Sequence, residues 1–168
     1  LIWGGNPNYT HIPNAHFIYE ARYKGAHVVC VAPDFNPSSI HADEWVPVNI
    51  GTDAALALSM AQVIVEEKLH KPAFMVEQTD MPLLVRVDDR RFLRASDLKP
   101  DGADDRFFVF DTVAQRIVEA PRSSLELGTI APALEGVFEV ETREGTIRVT
   151  TVFEQLKARL ADYTPEQT

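Results

Sequence analysis

The sequence predicts an α/β fold, a doubly wound and mostly parallel sheet across the first half followed by a β-rich insertion in the second. Three observations carry this. The run Val28-Val29-Cys30-Val31 is an almost unbroken β-branched apolar stretch, the composition of a strand buried on both faces of a parallel sheet. Gly51-Thr52-Asp53 stands between a short apolar strand and a strongly periodic helix, where open α/β sheets hold polar groups for ligands. From about residue 83, helical periodicity gives way to a different texture with alternating strand patterns.

Taken in order, Leu1-Ile2-Trp3 is the end of a buried strand, and Gly4-Gly5-Asn6-Pro7-Asn8 is a loop of residues that tolerate unusual backbone angles. Pro13 suits a first helical position and Gly25 the residue past the last turn. Phe17 and Ala21, widened by Ala15, Ile18 and Tyr19, form the expected inner face of that helix. Residues 27–31 form the second strand, ended by Pro33-Asp34-Phe35-Asn36-Pro37, and residues 45–50 the third. From Thr52, the spacing of Leu56, Met60, Val63 and Ile64 predicts a helix reaching about Lys68, with Thr52 as its cap and Asp53 at its positive end. Pro72 starts a shorter helix toward Gln78. The connection from Trp3 to residue 27 would be one right-handed crossover.

In the second half, residues 86–89 are charged, 100–106 form a polar loop, and 107–110 and 116–118 are two strands around a turn. Phe138 and Val140, then Ile147 and Val149, alternate with polar residues across Glu144-Gly145, which reads as a hairpin with one wet face. Val152, Phe153, Leu156 and Leu160 give residues 151–160 a helical stripe. The expected organisation is a core over 1–82, a β-rich insertion over 83–150, and a helix returning to the core within 151–168.

With 168 residues, 45% of them hydrophobic, the chain can bury a core and is most simply one domain. A net charge of -9 without basic stripes argues against a nucleic-acid partner. No apolar run approaches the roughly 20 residues needed to span a bilayer. The single cysteine, Cys30, excludes an intrachain disulfide and fits a small buried residue. Opening on Leu1-Ile2-Trp3 and closing on Tyr163-Thr164-Pro165-Glu166, the chain is expected to be an internal piece of a larger polypeptide.

Three strand ends carry polar groups suited to a ligand. The Gly4–Asn8 loop can expose backbone N–H groups to a pyrophosphate, or be an ordinary tight turn; it is not the G-x-G-x-x-G dinucleotide fingerprint. Asp34 can accept from ribose hydroxyls, or make an Asx turn before Asn36-Pro37. Asp53, after Gly51 and Thr52, can accept from the N1–H and exocyclic amine of guanine, a pair that adenine lacks, or simply cap its helix. His11, His16, His27, His41 and His70 show no metal-ligand spacing, and there is no G-x-S-x-G elbow. Asp88-Asp89 and Asp104-Asp105 read as solvated loop acids. The chain offers binding groups but no self-contained catalytic constellation.

These motifs fall into one order: Trp3-Gly4-Gly5-Asn6-Pro7-Asn8, Asn14-Ala15-His16-Phe17, Ala21-Arg22-Tyr23-Lys24-Gly25, Val31-Ala32-Pro33-Asp34, Ala42-Asp43-Glu44-Trp45, Gly51 through Ala61, Gln78-Thr79-Asp80-Met81-Pro82-Leu83-Leu84-Val85 and Arg91-Phe92-Leu93-Arg94-Ala95-Ser96-Asp97-Leu98. In that order they resemble the catalytic subunit of molybdopterin oxidoreductases of the dimethyl sulfoxide reductase family. The segments Thr79–Val85 and Arg91–Arg94 are similar to its type II branch of nitrate, selenate and (per)chlorate reductases and of dimethyl sulfide, ethylbenzene and steroid side-chain dehydrogenases.

The resemblance implies a Rossmann-like domain gripping one guanine dinucleotide of a molybdenum-bis(molybdopterin guanine dinucleotide) cofactor. Gly4, Gly5, Asn6, Pro7 and Asn8 would face the pterin-diphosphate side, Asp34 with Phe35 the guanosine ribose, and Gly51, Thr52 and Asp53 the guanine. It implies a parent with a 4Fe-4S cluster that this segment does not ligate, with the molybdenum ligand and a second cofactor-binding domain also lying elsewhere. The isolated segment is therefore expected to be inert. Implied partners are the rest of the subunit, an Fe-S electron-transfer subunit and, as a further candidate, a heme b subunit. The compartment implied is the periplasm, or the cytoplasmic face of the membrane for one nitrate reductase group. Two rival readings are a different Rossmann-like nucleotide binder and a non-catalytic scaffold that docks through its β-rich half.

Overall fold

Three short parallel strands open the structure, a computed structural model that describes residues 1–121 and 126–166. Residues 122–125 of the expected insertion and 167–168 of the last segment lie outside the described residues. The chain divides into two units, Leu1–Leu58 and Ser59–Thr168. In the second unit, residues 76–80, 82 and 83 line one cavity with 105–107 and 109.

In the first unit, β1 (Ile2–Trp3), β2 (Val29–Val31) and β3 (Glu44–Val46) lie in the order β1-β2-β3. Both pairings are parallel, with Trp3 opposite Val31 and Val31 opposite Val46. The order runs in one direction, without a reversal among these strands. Cys30 is fully buried and Val31 nearly so, as their place in the middle strand requires. β3 stops at Val46, short of the expected residue 50, because Pro47 has no N–H to extend the ladder; Ile50 stands 90% exposed.

Two helices follow β1. Pro7–Thr10 is a helical turn, α1, so the expected loop over 4–8 ends at Asn6 and Pro7 takes a first-turn position that needs no N–H. α2 (Ile12–Tyr23) carries Pro13 in its first turn and is followed by Gly25 at φ +92°. Its inner face is rotated from the expected one: Ala15 is buried, Ile18, Tyr19 and Arg22 are half-buried, and Phe17 and Ala21 are exposed. Arg22 explains the rotation, since its Nε is bonded to Asp43 Oδ1 at 2.7 Å and its Nη1 to the His41 carbonyl at 3.1 Å. That clamp orients the 15–18–19–22 line inward.

α3 (Asp53–Glu66) spans the division between units. Its buried position is Ser59, while Met60 and Ile64, expected on the inner stripe, are 42% and 43% exposed. At its start the Thr52 hydroxyl donates to the Asn49 carbonyl at 2.8 Å, closing the turn before the helix, and the Thr52 carbonyl accepts the Leu56 N–H at 3.1 Å.

The second unit opens with α4 (Pro72–Gln78), preceded by the remainder of α3. β4 (Leu84–Arg86), which the charged texture of 86–89 hid, lies at one edge of an antiparallel sheet ordered β4-β8-β7, where β7 is Val137–Thr142 and β8 is Gly145–Thr151. Before that sheet is completed come a short helix, α5 (Ala95–Leu98), and a separate hairpin of β5 (Phe108–Asp111) with β6 (Arg116–Glu119). The β7–β8 hairpin turns at Arg143-Glu144, one residue earlier than expected, because Gly145 at φ +116° pairs with Thr142. Leu84, Leu93, Val140 and Val149 form the core, flanked by Phe108, Phe110 and Phe138, with the rings of Phe110 and Phe138 stacked at 3.8 Å. Thr151 caps α6 (Val152–Leu160) by accepting from the Glu154 N–H at 3.2 Å, and the N–H groups of Val152 and Phe153 bond the carbonyls of Leu83 and Met81. Phe153 and Leu160 are fully buried, as the helical stripe predicted.

Candidate functional site

Level strand ends define the site. Because Trp3, Val31 and Val46 are register partners, the chain leaves β1 and β2 at one edge of the sheet, and both following loops start there. This carboxyl edge is where strand-end loops of a parallel sheet gather ligand groups.

The first loop is latched to the second. Buried Ser38 donates from its hydroxyl to Asn6 Oδ1 at 2.7 Å and accepts from the Asn8 N–H at 3.2 Å. Asn8 Nδ2 donates to the Pro37 carbonyl at 2.8 Å. Asn36, itself buried, holds this second loop by accepting from the N–H groups of Ser38 and Ser39 through Oδ1. Hence Asn6 and Asn8 spend their side chains on loop architecture. The loop's open backbone is at Gly4 and Gly5, where an added Cβ would meet nothing within 4 Å; Gly4 needs its glycine for φ +65°.

Asp34 is exposed and, among the described residues, its carboxylate has no protein partner. The Asx turn open to it in sequence terms is made by Asn36 instead. Phe35 is 60% exposed and packs edge-on against Trp45 at 5.4 Å, while the Trp45 indole N–H donates to the Ala32 carbonyl at 3.0 Å. Phe35 is thus an aromatic face beside Asp34, packed on Trp45 in the middle of β3.

The third segment is tied to the first. Trp3 Nε1 donates to Asp53 Oδ1 at 2.7 Å, joining the end of β1 to the first residue of α3. Gly51 at φ +89° makes the turn that leads into α3, again with open space where a Cβ would lie. All three segments picked out in the sequence therefore belong to one unit and are linked by named hydrogen bonds. Trp3 and Ser38 were missed, because their partners lie 50 and about 30 residues away.

At the opposite, amino edge of the sheet, Asp43 acts structurally. It accepts from the Val28 N–H at 2.8 Å as well as from Arg22, and these bonds, the Val28 one foremost, hold its carboxyl below the usual carboxylate range. A carboxyl lowered by folding stabilises the fold when ionised, and that contribution is lost as pH falls through its folded pKa. Asp43→Asn is accordingly expected to lower the urea midpoint at neutral pH and to flatten its decline below about pH 4. Urea melts at stepped pH check this, and parallel declines for both proteins would contradict it.

Among the described residues no three His, Cys, Asp or Glu side chains are placed to hold a metal ion. No helix among them is long and apolar enough to cross a membrane. The second unit has a cavity of about 330 Å³ beside Gln78, Asp80 and Phe107, where the one arginine, Arg106, is paired with Glu119.

Comparison with known proteins gives the geometry a family. Residues 1–95 match the molybdopterin oxidoreductase model, more than half of the chain, so the protein belongs to the molybdopterin oxidoreductase family. It is 51% identical to the chlorate reductase subunit alpha of Ideonella dechloratans over 100% of this chain and 19% of that protein. It is 50% identical to the dimethylsulfide dehydrogenase subunit alpha of Rhodovulum sulfidophilum over 97% of this chain and 18% of that protein. With the perchlorate reductase subunit alpha of Dechloromonas aromatica it shares 41% identity over 99% of this chain and 21% of that protein. The chain thus spans about a fifth of the length of these curated relatives. Membership implies a molybdenum–molybdopterin cofactor.

Proposed function

We propose that this chain is part of the catalytic subunit of a molybdenum-dependent oxidoreductase, and that its first unit is a Rossmann-like domain holding the guanosine end of one molybdopterin guanine dinucleotide. The observation that supports this most is the common carboxyl edge, where Ser38 in the loop after β2 bonds Asn6 and Asn8 in the loop after β1, and Trp3 at the end of β1 bonds Asp53.

The residues fit the group chemically. Guanine presents two adjacent donors, N1–H and the 2-amino group, and Asp53 is an acceptor-only carboxylate with lone pairs left beyond the one Trp3 uses. Ribose hydroxyls donate, and Asp34 is an exposed acceptor with no partner among the described residues. The diphosphate needs close backbone approach, which Gly4 and Gly5 allow because no side chain stands over them. Phe35 offers an apolar face next to the sugar.

When bound, the molybdenum centre supplies two-electron chemistry between Mo(VI) and Mo(IV) for oxygen-atom transfer or hydroxylation, with electrons passing through Fe-S clusters. This segment binds and orients; it contributes no catalytic residue and is inert alone. The parent would carry a 4Fe-4S cluster ligated elsewhere, work with an Fe-S electron-transfer subunit, and reside in the periplasm or on the cytoplasmic face of the membrane.

Calorimetric titration of the chain with GDP, ADP and NADH tests the binding role. GDP is expected to bind at least about tenfold more tightly than ADP, the equivalent of one charge-assisted hydrogen bond. Equal affinity for GDP and ADP, or a preference for NADH, would overturn the reading.

A further inference from the structure

Trp3 lies at the end of β1, in a loop region otherwise read through its glycines, and its indole has a use beyond packing. We infer that Trp3 is a positioning residue that sets the orientation of the Asp53 carboxylate and thereby the preference of the site for guanine. This rests on the guanine reading above and deepens it.

A carboxylate on an exposed first turn turns freely about its side-chain bonds, and freezing it on binding costs part of the hydrogen bonds gained. In this structure the rotation is already restricted. Asp53 is exposed, yet Oδ1 accepts the Trp3 Nε1–H at 2.7 Å, a short charge-assisted bond. The donor is itself well fixed, because Trp3 is half-buried and its backbone pairs with Val31 in the sheet. An indole N–H can only donate, so it occupies one acceptor site of the carboxylate and leaves Oδ2 and the second lone pair of Oδ1 available. What remains is a carboxylate of fixed tilt, with acceptors side by side, matching the adjacent donors N1–H and 2-amino of guanine. Adenine presents an acceptor at N1 and gains nothing from that tilt. A tethered acceptor therefore serves base discrimination more than affinity for nucleotides in general.

The test compares GDP, IDP (which lacks the 2-amino group) and ADP on the wild-type chain, Trp3→Phe and Asp53→Ala. Trp3→Phe should lower the GDP-over-ADP ratio about tenfold and move GDP toward IDP, while ADP affinity stays within about twofold. A residue that merely packs would weaken all three nucleotides together or none. If the wild type prefers GDP and Asp53→Ala erases that preference while Trp3→Phe keeps it, the positioning role falls and the guanine reading stands. If the wild type shows no guanine preference, both fall. A second measurement needs no variant: with 15N-labelled indole, GDP should shift the Trp3 Nε1–H resonance. Binding of GDP without any change at the Trp3 indole would also overturn the role.

Discussion

Replacing Asp34 and Asp53 together with alanine should reduce the affinity of the chain for GDP by about 100-fold or more. Each carboxylate is assigned charge-assisted hydrogen bonds worth about 1.5–3 kcal/mol, and each 1.4 kcal/mol is a factor of ten. The single variants should separate by ligand. Asp34→Ala, at the ribose, should weaken GDP and ADP alike and erase any preference over the 2′-deoxynucleotide. Asp53→Ala, at the base, should remove the preference for GDP over ADP. The folded state should scarcely notice Asp34→Ala, since that side chain is exposed and has no partner among the described residues. For Asp53→Ala the loss of the Trp3 bond and of an acidic first-turn residue costs up to about 1 kcal/mol. Calorimetry with urea melts on the same samples distinguishes lost binding from lost fold. A double variant that binds GDP as the wild type does would remove the basis for placing a guanosine here.

Local chemistry made much of this site legible in the sequence. Gly4 and Gly51 take the positive φ angles that their place in turns suggested, and the β-branched run around Cys30 forms the buried middle strand. Asp34 and Asp53 follow from strand ends and helix starts, which short-range patterns mark well. The misreadings come from side chains whose partners are distant. Phe17 looked like an inner-face residue because periodicity counts apolar residues, whereas the Arg22–Asp43 clamp decides which side of α2 faces inward. Ser38 carried no signal, since its role exists only once Asn6 and Asn8 arrive from a loop about 30 residues away. Met60 and Ile64 have the spacing of core residues but stand exposed, so an apolar stripe alone did not tell which positions are covered.

β4 was hidden for a related reason, which leads to the largest expected effect on stability. Arg86 breaks the apolar run Leu83-Leu84-Val85, so the segment reads as charged surface, yet its side chain is only 10% exposed. What permits the burial is a ring of carboxylates. Asp88 receives Nη2 at 2.9 Å, Asp97 receives Nη1 at 2.9 Å, and Asp89 lies 3.6 Å from Nε. These partners, the Asp88 hydrogen bond first, raise the guanidinium pKa further above its usual value, so the arginine is charged at every accessible pH. Asp97 also accepts the Arg94 N–H at 2.8 Å, so the same network caps α5. Arg86→Met keeps the aliphatic volume but strands Asp97, 20% exposed, beside two other acids. Losing one partner of a fully buried pair costs about 3–5 kcal/mol; Asp88 and Asp89 can partly rehydrate, so about 2–3 kcal/mol is expected here. Arg86→Lys should fall between, keeping the charge but not the fork that reaches Asp88 and Asp97 at once. Because the Arg86 hydrogen bond holds the Asp88 carboxyl below the usual carboxylate range, the gap between wild type and Arg86→Met should narrow as pH falls below about 4. Urea unfolding at pH 7 and pH 3 measures both, and an Arg86→Met chain as stable as the wild type at pH 7 would mean the carboxylate ring does not hold β4 in its sheet.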